Sequence, residues 1–216
     1  MKTRIMSSRR TFIAAGAAVV AVPLLERGGE AAAATRPELY DFPAVADRLA
    51  RPAKHRQVYA TNRVADGVVV GYMKHAMEAY ESTMGEGAGA LHPAAVFYGR
   101  GVVLGLGNEM WRTFRIAESV KRRGDVLTEQ TPAGNPFAAD FAELTKRGAT
   151  LLVCDNALAD WSTYLVTTAG FNDRTIEAIH TNLRTHLLPG ALLVPAGVAA
   201  LNQAQEAHFT YLQASL

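Results

Sequence analysis

Apolar runs of strand length alternate along the chain with segments of helical periodicity. HRQVYAT, at 55–61, predicts a first strand, and a stripe of five apolar side chains at spacings of three and four predicts a helix over 66–84. Further strands are predicted at 94–97, 102–104, 149–154, 191–196 and 209–213. This alternation is typical of an α/β domain with a mostly parallel sheet.

The segment that precedes Cys154 carries the clearest pattern. Asn135 can cap a helix that begins at Pro136, with a buried face of apolar side chains ending near Leu144. The continuous apolar run at 149–154 then predicts a strand covered on both faces. Helices are predicted between 161 and 188 and at 197–208.

The first 34 residues have the pattern of an export signal. A positive segment is followed by an apolar stretch at 12–25, which is shorter than the about 20 residues that span a bilayer. Arg9 and Arg10, followed by Thr11 and Phe12, match the twin-arginine pattern. We therefore expect cleavage near Ala34, a periplasmic or otherwise extracytoplasmic location, and no stable membrane span.

Removal of this segment changes the charge of the protein. Residues 1–34 contain five of the 22 Lys and Arg and two of the 20 Asp and Glu, which leaves 17 basic and 18 acidic residues. A net charge near −1 gives no support for nucleic-acid binding through a broad basic face. The basic run at 121–123 is interpreted as a solvated helix end.

Cysteine and histidine usage predicts neither a disulfide nor a metal site. Cys154 has no partner for an internal disulfide, and no histidine forms a recognisable ligand pair with it. The six histidines are scattered: His55, His75, His92, His180, His186 and His208. No resident cofactor is predicted either.

Four glycines cluster after the second predicted strand, at Gly99, Gly101, Gly105 and Gly107. Their spacing differs from the dinucleotide fingerprint, because the third glycine follows the second by four positions rather than three. Backbone amides in this turn could hold a small anion. Tight turns and close packing are the alternative explanation.

The chain resembles the DsrE/DsrF-like (YchN-like) family of sulfur-relay proteins. The resemblance rests on NPFAADFAELTKRGATLLVCDNAL and LLPGALLVPAGVAALNQAQEAHFTYL, with HPAAVFYGRGVVLGLG upstream, and covers about residues 55–213. It implies a flavodoxin-like, three-layer α/β domain over 55–216, with a mostly parallel sheet of about five strands, after a lead-in at 35–54. It also implies a homo-oligomer, as a trimer or hexamer, and a sulfur donor or acceptor protein as partner.

Cys154 is the candidate sulfur acceptor. If its strand ends there and Asp155 or Asn156 begins a helix, the thiol lies at the carboxyl edge of the sheet, where parallel sheets bind their ligands. The positive end of that helix would favour the thiolate, whereas the charge of Asp155 would oppose it. The sequence therefore predicts a persulfide carrier at most.

Two other functions fit the same residues. Cys154 can be a packed core side chain in a non-catalytic protein that binds a small anion or a partner through the glycine turn, Asp155 and Asn156. It can also be a thiol sensor that forms a sulfenic acid or an intermolecular disulfide. Solvent exposure of Cys154 separates the two thiol functions from the binding function.

Overall fold

The computed structural model describes residues 39–129 and 133–215, and the predicted export signal lies outside them. The helices are α1 (Phe42–Ala50), α2 (Val68–Glu78), α3 (Asn108–Thr113), α4 (Ile116–Arg122), α5 (Ala138–Lys146), α6 (Asp155–Thr167), α7 (Ile176–Thr185) and α8 (Gly197–Glu206). The strands are β1 (His55–Thr61), β2 (Leu91–Phe97), β3 (Thr150–Cys154), β4 (Leu192–Val194) and β5 (Thr210–Gln213). Short 3-10 helices occupy Ala65–Gly67 and Gly99–Gly105, and a π-helical turn at Ala79–Thr83 extends α2.

The five strands form one parallel sheet in the order β4-β3-β2-β1-β5. The first four strands follow one another in one direction across the sheet, and β5 then pairs with the free side of β1. Helices cover both faces, which confirms the predicted three-layer, flavodoxin-like α/β fold. The strand order differs from the 2-1-3-4-5 order of flavodoxin itself.

The two faces of the sheet are covered very unequally. One face packs against α2 to α7, through strand residues such as Tyr59, Phe97 and Val153. The opposite face, through Val58, Val96 and their neighbours, packs against α1 and α8 alone. The reversal at β5 explains this division, because right-handed crossovers place helices on opposite faces when the direction across the sheet changes.

The lead-in predicted at 35–54 contains a helix. The carboxylate of Asp41 accepts a hydrogen bond from the backbone N–H of Ala44, and Pro43 fits the first turn. Val45 and Leu49 are buried against the sheet. The segment is therefore part of the packed domain.

The predicted strand at 102–104 is wrong, because these residues lie in the 3-10 helix Gly99–Gly105. A Cβ at Gly101 would lie 2.5 Å from the carbonyl oxygen of Thr61, and one at Gly105 would lie 2.5 Å from the Val153 side chain. Only glycine allows the turn to pack this closely on β1 and β3. The run is apolar because it is buried on all sides.

The predicted helix at 66–84 is shorter than expected at its start. Ala65 and Asp66 have positive φ angles of 44° and 51°, so the α-helix begins at Val68. The buried Asp125 carboxylate holds this turn by accepting the N–H groups of Val64 and Ala65 at 2.8 and 3.1 Å. No helix in the described ranges is sufficiently long and apolar to cross a membrane.

Candidate functional site

The carboxyl edge of the sheet brings together the ends of four strands. Asn62 follows β1, Tyr98 follows β2, Cys154 ends β3, and Gly197 lies shortly after β4. Parallel sheets place their ligands at this edge, because loops and helix N-termini converge there. Each predicted site residue can therefore be located relative to it.

Cys154 is the last residue of β3 and lies at the N-terminus of α6. Its side chain is 5% exposed. A Cβ at Gly197 would lie 3.3 Å from the Cβ of Cys154 and 2.6 Å from the Cβ of Tyr98, so Gly197 packs closely against both residues. By the exposure criterion, this burial favours a packed thiol.

The carboxylate of Asp155 is buried beside Cys154, and both of its oxygens accept hydrogen bonds. It accepts two hydrogen bonds of 2.6 Å from the guanidinium of Arg184, one of 2.8 Å from His180 and one of 2.5 Å from the Tyr40 hydroxyl. Burial alone would raise the pKa of Asp155, but the bonds from Arg184, Tyr40 and His180 outweigh it and lower that pKa. Arg184 therefore compensates the negative charge next to Cys154.

Asn156 lies in the first turn of α6 and is exposed. Its backbone N–H donates to the carbonyl of Pro195 at 3.2 Å, which ties α6 to the end of β4. Asp155 and Asn156 thus lie beside Cys154, but their hydrogen bonds serve to connect α6 with α7 and with the end of β4.

The four glycines of the turn have different surroundings. Gly99 is exposed, whereas Gly101 and Gly105 are buried and pack against β1 and β3. The N–H of Gly107 donates to the carbonyl of His186 at 2.8 Å, and the N–H of Arg100 donates to that of Asn62. Close packing accounts for Gly101, Gly105 and Gly107, and only Gly99 borders an open pocket.

That pocket has a volume of about 400 Å³ and lies where β1 and β2 end. Asn62, Arg63, Tyr98, Gly99 and Arg100 line it. We call it the carboxyl-edge pocket. Tyr98 packs against Gly197, which also packs against Cys154, so one residue links the pocket lining to the thiol.

Three arginines from separate segments meet beside this pocket. Arg63 donates to the carbonyl of Gly124 at 3.0 Å, and Arg100 donates to the carbonyl of Arg123 at 2.7 Å. The guanidinium carbon of Arg123 lies 4.6 Å from the ring centroids of both Trp161 and Tyr164. The prediction that 121–123 is merely a solvated helix end is therefore wrong for Arg123, which stacks on two aromatic rings.

The electrostatic balance of these arginines is positive. Arg63 Nε lies 3.5 Å from Asp125 Oδ1, but no carboxylate in the described part of the chain is within 4 Å of the Arg100 or Arg123 guanidinium. Burial, and then the charge of Arg100, lower the pKa of Arg123. Arginine keeps its proton at physiological pH, so the cluster stays cationic.

Unpartnered buried polar atoms concentrate in the same region. Within 39–129 and 133–215, five buried side-chain nitrogen or oxygen atoms lack a hydrogen-bond partner: Thr61 Oγ1, Arg63 Nε, His92 Nδ1, Arg123 Nη1 and Trp161 Nε1. Thr61 and Arg63 lie at the carboxyl edge, although Arg63 Nε is within ion-pair distance of Asp125. Arg123 is linked to that edge by its hydrogen bond with Arg100, and Trp161 by its stacking with Arg123. Native proteins rarely leave buried polar groups unpaired, and an ion or water commonly satisfies them.

No group of three or more His, Cys, Asp or Glu side chains suited to a metal ion occurs in the described ranges. No motif or spacing in the sequence links these residues of the pocket region, which lie far apart along the chain: Arg63, Arg100, Arg123 and Trp161. Only the fold brings them together.

No protein-family model matches the chain, and no curated protein matches it. A solved structure of a protein of unknown function from Methanobacterium thermoautotrophicum is similar, with 16% sequence identity and a TM-score of 0.42. The similarity covers 74% of this chain and 98% of that one. The comparison assigns no activity.

Proposed function

We propose that the protein binds a small oxyanion in the carboxyl-edge pocket. The observation that carries the proposal is the pocket lined by Arg63 and Arg100, with unpartnered buried polar atoms on the adjoining Thr61 and on Arg123, whose backbone carbonyl binds Arg100. An unpartnered buried donor costs about 1–3 kcal/mol, which a bound acceptor can recover.

The chemistry of the cluster favours oxyanions. Guanidinium groups donate to the oxygens of sulfate, phosphate and carboxylate in a fixed, planar geometry. Asp125 offsets part of the charge of Arg63, so Arg100 and Arg123 supply the attraction. A volume of about 400 Å³ suits a small ligand.

Calorimetric titration at low ionic strength with sulfate, phosphate and thiosulfate tests this function. We expect saturable binding of at least one of these anions, weakened about tenfold or more by Arg100→Gln. Arg112→Gln, at an exposed arginine of α3, is the matched control and should bind as the wild type does. Absence of saturable binding, or an equal loss in the control, would contradict the proposal.

We propose sulfur carriage by Cys154 as a second function, favoured by its place at the carboxyl edge, where Gly197 packs against both Cys154 and Tyr98, a residue of the pocket. The thiolate would attack a polysulfide and keep one sulfane sulfur as a persulfide, while the polysulfide leaves one sulfur shorter. Intact-mass analysis after polysulfide treatment should show a gain of sulfur that reductant removes and that Cys154→Ser lacks. A thiol that reacts only after unfolding would leave oxyanion binding as the function.

We further propose that the chain is a DsrE/DsrF-like protein, exported by the twin-arginine route and assembled as a trimer or hexamer. The order and spacing of the quoted motifs support the family, and Arg9 and Arg10 support the route. Sedimentation velocity tests the assembly, and a monomer at micromolar concentration would contradict it. Cell fractionation of an Arg9→Lys, Arg10→Lys variant tests export, since the variant should stay in the cytoplasm.

A further inference from the structure

An apolar groove runs between α1 and α8, on the thinly covered face of the sheet. Its volume is about 460 Å³. Phe42, Val45 and Leu49 line it from α1, and Gln203 and Ala207 line it at the end of α8. Phe42 is 46% exposed although it is a large aromatic side chain.

The two helices that form the groove run in the same direction. α1 starts near the carboxyl edge, where Tyr40 binds Asp155, and ends shortly before β1. α8 starts after β4 and ends shortly before β5. The groove is therefore linear and leads toward the amino edge of the sheet, over a length of about 13 Å for the nine residues of α1.

The amino-edge end of the groove is cationic. Arg56 donates to the carbonyl of Ala207 at 2.9 Å and to that of Arg51 at 3.3 Å, so its guanidinium bridges the ends of the two helices. Arg48 lies in the last turn of α1. Within the described ranges, none of these three arginines has a carboxylate within 4 Å.

These arginines also act on a buried neighbour. His92 is 3% exposed and lies at the start of β2, in register with Arg56. Burial, and then the charges of Arg51, Arg56 and Arg48, lower the pKa of His92 to about 4. The arginines therefore add positive charge on the side of the sheet where His92 lies.

Glu206 is the opposing charge. Its carboxylate lines the groove and accepts a hydrogen bond of 2.7 Å from Asn202. Glu206 is thus the charged residue of the groove lining, and the exposed Asp47 is a second carboxylate on α1. Arg56, bonded to the lining residue Ala207, and Arg51, which follows the lining residue Ala50, supply positive charge just beyond the end of the groove.

We propose that this groove binds a linear acyl chain, with the chain between α1 and α8 and its carboxylate at Arg51 and Arg56. The apolar lining suits an alkyl chain, and the linear form suits an unbranched one. The charge at one end requires an anionic head group. Two N–H groups of Arg56 are used by backbone carbonyls, which leaves three of its five donors for the carboxylate. The inference is independent of oxyanion binding at the opposite edge.

Calorimetric titration of the purified protein with decanoate, below its micellar concentration, tests the proposal. We expect one saturable site per chain, and weaker binding of decyltrimethylammonium, which has the same tail and the opposite charge. Ala46→Trp, which fills the groove, should weaken decanoate binding at least tenfold. Ala142→Trp, at an exposed alanine of α5, is the matched control and should bind normally.

Two charge variants test the orientation of the ligand. Arg51→Gln should weaken decanoate binding several-fold, and Glu206→Gln should strengthen it. The proposal is overturned if wild-type protein shows no saturable binding, if Ala46→Trp binds decanoate normally, or if the cationic amphiphile binds equally well. Failure to bind decanoate, together with self-association that Ala46→Trp abolishes, would instead identify the groove as a contact between two copies of the chain.

Discussion

Replacement of His92 by Gln should flatten the dependence of stability on pH between about 4 and 6.5. His92 is buried, its Nε2 lies 2.9 Å from Thr150 Oγ1, and its ring packs edge-on against Phe209 with 5.0 Å between centroids. No acidic side chain of the described residues is in salt-bridge contact with it. The folded protein therefore resists protonation of this ring.

The magnitude follows from the pKa of His92, which burial lowers to about 4 in the folded protein from the ordinary value of 6.5. The unfolded chain binds the proton more tightly, so stability falls as the pH drops below about 6.5 and stops falling on this account near pH 4. Above pH 6.5 the ring is neutral in both states. The difference of about 2.5 between the pKa of His92 in the unfolded chain and in the folded protein corresponds to a loss of about 3 kcal/mol in the free energy of unfolding.

Urea unfolding at several pH values, followed by the fluorescence of the buried Trp111 and Trp161, measures this loss. The free energy of unfolding of wild type should fall by about 3 kcal/mol more than that of His92→Gln over this range. His75→Gln, on the exposed side of α2, is the control and should keep the wild-type slope. If the wild-type and His92→Gln curves stay parallel, the argument about burial is refuted.

Three further substitutions test the packing of the site by urea unfolding. Gly197→Ala should lower the free energy of unfolding by about 1–3 kcal/mol, because the new Cβ would lie 2.6 Å from Tyr98. Gly71→Ala is the control, since its Cβ meets open space and should not destabilise the protein. Equal losses for the two variants would contradict the contact. Arg184→Met should lower the free energy of unfolding by up to about 3–5 kcal/mol, because the buried Asp155 carboxylate loses its guanidinium partner and keeps only His180 and Tyr40. Addition of Asp155→Asn should recover part of that loss. Asn135→Ala removes two donors to carbonyls of the glycine turn, and should lower the free energy of unfolding by about 1–3 kcal/mol. Amide hydrogen exchange in the glycine turn should become faster. Unchanged exchange would show that these two bonds do not hold the turn.

Much of the fold could be predicted because most elements have one dominant pattern. The apolar run before Cys154 forms a buried strand, and the stripe through Met73 and Met77 faces the core. The turn at 99–105 could not be predicted in this way. Its apolar side chains are buried on every side, so periodicity does not distinguish a strand from a 3-10 helix there.

The candidate site was less predictable because it depends on tertiary contacts. The sequence placed Cys154 at the end of a strand and Asp155 at the start of a helix, and both positions are observed. It did not predict that Arg184 compensates Asp155, since these residues lie on different helices. Arg63 and Arg100 likewise meet only because β1 and β2 are neighbours in the sheet.

The pairing of β5 with β1 has a consequence for how the chain folds. Gln57 pairs with Thr210, so this pairing closes a loop of more than 150 residues. During synthesis β1 emerges early but keeps one open edge until β5 leaves the ribosome, while β2 and β3 can already have joined its other side. Such distant pairing slows folding and leaves an unpaired edge exposed in the meantime. Completion of the sheet is therefore a late event in folding, and molecules truncated before Thr210 would retain an unpaired edge on β1 that can pair with other chains.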